Sequence, residues 1–118
     1  MRASRAIVSL AFAASCLTAC VSRSDFTAIS GKNVNLSDVR IDRSKTKGRV
    51  QGKDCTYIVV IIPTGGPPTL DEALDRALES AQANVLLDAV VTYRTFYIPY
   101  LFGETCWEAE GDAYDTYQ

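Results

Sequence analysis

Seven consecutive β-prone residues, Thr56-Tyr57-Ile58-Val59-Val60-Ile61-Ile62, run into Pro63 and the loop Thr64-Gly65-Gly66-Pro67-Pro68, and a helix signal opens at Thr69. β-branched and aromatic side chains fit a pleated surface, so Val50 to Ile62 predicts a strand, and proline, lacking an amide, stops it. Its apolar end is unbroken rather than alternating, which predicts a central strand covered on both faces. Thr69 with Glu72 three residues on reads as a capping box. Leu70, Ala73, Leu74, Ala77, Leu78 and Ala81 then recur at helical spacing, with Asp71, Asp75, Arg76, Glu79 and Gln82 on the opposite side. This predicts an amphipathic helix of about fifteen residues lying on a sheet, with Asn84 as its left-handed terminator.

Strands are expected on either side of that unit. Val34, Leu36, Val39 and Ile41 nearly alternate, with one step at Ser37-Asp38, which predicts a bulged strand joined as a hairpin to Val50–Ile62. Asp88 to Ile98 reads as a third strand, Pro99 to Glu104 as a turn and Thr105 to Tyr114 as a fourth strand. The expected fold is α+β in the order ββαββ: a mainly antiparallel sheet with one amphipathic helix packed on a face, built by residues 34–118.

The N-terminal segment has a different grammar. Arg2 and Arg5 give a basic start, Ile7 to Leu17 is apolar but for Ser9 and Ser15, and Leu17-Thr18-Ala19-Cys20 follows. The apolar run is about half the roughly twenty residues of a membrane-spanning helix, so it reads as a signal peptide, residues 1–19. The four residues and their context resemble the lipobox of bacterial lipoprotein precursors. That resemblance implies cleavage behind Ala19 and acylation of Cys20, by palmitate-type chains that bind the membrane. Ordinary secretory cleavage, leaving Cys20 a thiol, is the other reading, but the small-x-small site Ala11-Phe12-Ala13 lies inside the apolar run. In such lipoproteins Val21 after the cysteine, in place of aspartate, implies retention at the periplasmic face of the outer membrane. Residues 20–33 are polar and unpatterned apart from Phe26 and Ile29, and read as an acylated N-terminus and tether with a reach of up to about 40 Å.

Processing would leave 99 residues with ten basic and fourteen acidic side chains, a net charge of −4 that argues against nucleic acid. Cys16 leaves with the leader and Cys20 is modified. Cys55 and Cys106 remain in an oxidising compartment and are expected to pair. A metal pair or a redox dithiol needs closer spacing or further ligands, and the chain has no histidine.

Candidate sites are few. Gly65-Gly66 before a helix suggests an anion cradle, but Pro67 and Pro68 remove amides, and Asp71 and Glu72 already sit at the positive end of the dipole. Glu104, Glu108, Glu110, Asp112 and Asp115 suggest calcium, yet alternation along a strand spaces same-face carboxylates about 7 Å apart. Arg40, Arg43, Lys45, Lys47, Arg49 and Lys53 form a basic stretch diluted by Asp42 and Asp54. Without histidine, a spare thiol or a nucleophile-elbow serine, no enzyme, metal or cofactor is expected. The run Phe96-Tyr97-Ile98-Pro99-Tyr100-Leu101-Phe102 carries apolar residues straight through a predicted turn, where polar residues are usual. Phe96, Tyr97, Tyr100, Leu101 and Phe102 are thus either a hairpin tip folded into the core or a surface for a partner protein or membrane.

A strand with Cys55, a capped helix, and a Tyr-Ile-Pro-Tyr hairpin leading to Cys106 and Trp107 together resemble, over residues 50–114, small envelope lipoproteins of the TRL-like sort. The resemblance implies no catalytic residues. The function expected is that of a membrane-anchored periplasmic lipoprotein acting by protein contact, as an accessory or assembly subunit of an envelope complex. A periplasmic module binding a small ligand or ion is the alternative.

Overall fold

Val85–Ile98 and Phe102–Tyr114, strands of 14 and 13 residues, fold back on each other around a short turn and form the middle of the sheet. The computed structural model describes residues 18–30 and 40–117. In chain order the elements are β1 (Thr18–Ile29), β2 (Arg40–Ile41), β3 (Arg49–Val59), β4 (Ile62–Pro63), α1 (Leu70–Ala81), β5 (Val85–Ile98), β6 (Phe102–Tyr114) and β7 (Thr116–Tyr117). Five strands make one sheet in the order β1-β5-β6-β3-β4, with every neighbouring pair antiparallel, and β2 pairs separately with β7. The architecture is α+β, a mainly antiparallel sheet with one helix on a face, but the simple ββαββ order does not describe it.

Three differences from the sequence reading have physical causes. Residues 18–29, read as the end of a leader and a tether, pair with β5 from Thr18↔Tyr97 to Ile29↔Leu86. Polar side chains such as Ser22, Arg23, Ser24 and Asp25 suit an edge strand wet on both faces, and such a strand carries no apolar alternation to detect. The strand expected from Val34 to Ile41 lies mostly outside the described residues. Its last two, Arg40 and Ile41, pair with Tyr117 and Thr116, so β3 has β6 and β4 as neighbours instead. Finally, the apolar run does not end inside the sheet: the chain reverses at Val60-Ile61, with Val60 at φ 62°, and Val59 to Ile62 are exposed.

The helix forms as its periodicity predicts, burying Ala73, Leu74, Ala77 and Leu78. Thr69 caps it by accepting from the Glu72 amide at 3.4 Å. The reciprocal half of the capping box is replaced: the Thr69 amide donates to Asp54 Oδ2 at 2.9 Å, and the Glu72 carboxylate instead takes Arg76 at 3.0 Å. Termination falls on Gln82, left-handed at φ 52°, two residues before the expected Asn84. Leu74, Ala77 and Leu78 meet Leu86, Ala89, Ala109 and Ala113 in the core. A bulge between Leu87 and Val90, with Asp88 at φ 48°, resets the alternation so that Leu86 and Ala89 both join that core. Where α1 crosses β3, Gly52 allows the approach, because a Cβ there would strike the Ala73 carbonyl and the Ala77 amide.

Candidate functional site

Cys55 and Cys106 stand opposite each other in the β3–β6 ladder, 4.2 Å apart at Cα, and are joined as a disulfide. This is the close spacing of a cross-strand pair, so the sheet register itself brings the two thiols together. Glu104 lies beside them, but sulfurs paired in a disulfide offer no thiolates, so the trio is no metal site in this state.

The carboxylates of the candidate calcium set, Glu104, Glu108, Glu110, Asp112 and Asp115, each lie within 4 Å of a cationic side chain. On the face opposite the helix, Arg49 reaches Glu110 at 3.0 Å, Lys53 reaches Glu104 at 3.3 Å and Arg94 lies 3.9 Å from Glu108. Lys47 meets Asp115 at 2.7 Å. The Glu110 carboxylate, by hydrogen bond and charge, raises the Arg49 pKa above its ordinary value. Glu104, Glu108, Glu110 and Asp115 therefore pair across strands and turns, while Lys47, Arg49 and Lys53 of the basic stretch are spent on them. At the Gly65-Gly66 loop, the helix-start amide that would greet an anion is taken by Asp54, which Arg76 holds at 3.2 Å.

The structure gathers the remaining candidates at one end of the sheet. Ile98, Phe102, Val59 and Ile62 form a single row across β5, β6, β3 and β4. Beyond that row are two turns, Pro99–Leu101 and Val60-Ile61, tied together by the Val60 amide donating to the Leu101 carbonyl at 3.0 Å. The Tyr97 hydroxyl donates to the Val60 carbonyl at 3.0 Å, and Phe102 packs near Tyr57 and Phe96 with ring centroids 6.0 and 6.1 Å away. Phe96 and Tyr97 are half-buried, whereas Tyr100, Leu101, Ile61 and Ile62 are 77, 66, 68 and 68% exposed. The hairpin tip is therefore surface. Val59 to Ile62 belong to the same surface, although their unbroken apolar run predicts a strand covered on both faces. The signal for this was available: no charged residue occurs in residues 55–70 or 95–103, which span both turns.

Cys20 is exposed and unpaired, and the register sets it opposite Thr95, near the same end. Sequence reasoning also missed a cleft of about 550 Å³ beside the start of α1, lined by Thr56, Ile58, Pro63, Pro67, Tyr93 and Trp107. Tyr93 and Trp107 pack across β5 and β6 with ring centroids 4.7 Å apart and planes tilted by 50°, and the Thr56 hydroxyl donates to the Gly66 carbonyl, holding the proline loop over them. No family model, curated protein or solved structure matches the chain.

Proposed function

We propose that the chain is a lipid-anchored envelope protein, cut behind Ala19, acylated on Cys20 and held at the periplasmic face of the outer membrane, where it works by protein contact as an accessory or assembly subunit. The observation that supports this is the position of Cys20. It is exposed, it stands outside the disulfide, and its strand is zipped directly to the domain. Its exposure leaves the sulfur accessible for acylation. Two surfaces suit a protein partner: the outer edge of β1, which has no neighbouring strand among the described residues, and the ion-paired face of β3, β6 and β5. The resemblance to TRL-like envelope lipoproteins points the same way. Mild crosslinking of host membranes followed by purification tests the contact role: a stoichiometric envelope partner is expected, and recovery of the uncrosslinked chain alone contradicts it.

The Tyr93–Trp107 cleft favours a second reading, a binding module for a small apolar ligand. Trp107 is the single tryptophan of the chain, so its fluorescence reports the cleft directly. A saturable emission change with a small apolar compound supports this reading, and unchanged emission across a panel of such compounds argues against it.

A further inference from the structure

We infer that the apolar end of the sheet is a membrane-seating surface: the two hydrogen-bonded turns, Val60-Ile61 and Pro99–Leu101, enter the lipid interface beside the acyl chains on Cys20. The inference rests on the anchor reading above and adds how the domain stands on its membrane.

Geometry carries it. From Cys20 the chain toward its N-terminus runs in the direction of the turns, since Thr18 pairs with Tyr97 and Cys20 with Thr95. Cleavage behind Ala19 therefore places the acylated N-terminus toward the end of the sheet where the turns project. Ile98 lies three residues beyond Thr95 along β5, so the Ile98–Phe102–Val59–Ile62 row stands about 10 Å further out than Cys20. Apolar surfaces of interfacial proteins sink about 5–10 Å into the boundary between headgroups and acyl chains. With Cys20 at headgroup level, the turns reach that depth.

Chemistry and conformation agree with the depth. The first charge met from the tip is Glu104, two residues after Phe102 and level with Phe96; it is already neutralised by Lys53 at 3.3 Å. Tyr57 and Tyr100 supply aromatic rings of the kind enriched at membrane interfaces, and Phe102 adds an apolar one. Both turns also place L-residues at positive φ, Val60 at 62° and Tyr100 at 60°, where glycine or asparagine is the unstrained choice. Apolar side chains are kept there at a cost in backbone energy. Cleavage behind Ala19 would further remove Thr18 and Ala19, the partners of Tyr97 and Phe96, and widen the uncharged strip next to the lipid.

The test uses the full chain, processed by a Gram-negative host and reconstituted into phosphatidylethanolamine–phosphatidylglycerol vesicles with or without brominated acyl chains. In a Trp107→Phe background, Leu101→Trp and Ile61→Trp probe the two turns separately, so misfolding of one variant leaves the other to decide. Ser44→Trp, in the turn before the opposite end of β3, is the control. Interfacial depth predicts that both turn probes shift to the blue and lose about twofold in emission to brominated lipid, with the control unaffected. An acylated, vesicle-bound chain whose turn probes emit as in water overturns the inference alone. So do turn probes that shift only when an envelope protein is added, which assigns the surface to a protein partner. Absence of acyl mass on the purified chain overturns the anchor and the inference together.

Discussion

The Val60 amide donates to the Leu101 carbonyl at 3.0 Å, locking together two turns that lie 41 residues apart in sequence. The bond makes a single apolar platform from the ends of four strands. It also fixes Val60 in the left-handed region at φ 62°, a conformation that β-branched residues resist.

Val60→Gly is therefore expected to stabilise the fold by about 0.5–1 kcal/mol, the relief of left-handed strain exceeding the extra chain entropy of glycine. Denaturant unfolding of the two proteins measures it, and a loss of stability would mean that Val60 packs more than it strains.

Gly52→Ala should cost about 2–3 kcal/mol or more, because the new methyl meets helix backbone, the Ala73 carbonyl and the Ala77 amide, which cannot swing aside. Gly65→Ala, with nothing within 4 Å of its added Cβ, should stay within about 0.5 kcal/mol of the parent. Equal behaviour of the two variants in urea would contradict the helix–strand approach described here.

Much of this was legible in the sequence where one physical signal dominated. The helix face was set by period, the Thr69 cap by its hydroxyl, and the Cys55–Cys106 pair by elimination once an oxidising compartment was expected. Strand β1 was not legible, because an edge strand exposed on both faces has no apolar alternation. Nor was the reversal at Val60-Ile61, since its residues are those of a buried strand, and the turn is held by the short β3–β4 pairing together with tertiary bonds from Tyr97 and to Leu101. The cleft depends on Tyr93 meeting Trp107 across β5 and β6, a register that no local pattern encodes.

Replacing both Cys55 and Cys106 with alanine removes a crosslink spanning 51 residues and should lower stability by about 4 kcal/mol, the upper figure of the chain-entropy model. Unfolding with and without reductant should shift the parent by a comparable amount and leave the double variant unmoved. A parent insensitive to reductant would show that the pairing adds nothing to the fold.

Pairing of β1 with β5 replaces a long tether with a strand that delivers Cys20 at the apolar end of the sheet, so membrane anchoring turns on the chemistry of that one sulfur. Mass spectrometry of the protein recovered from host membranes measures it directly. After trypsin, an N-terminal peptide running from Cys20 to Arg23 and carrying the added mass of acyl chains is expected. An unmodified Cys20, or a peptide that extends through Ala19 into the leader, would contradict it.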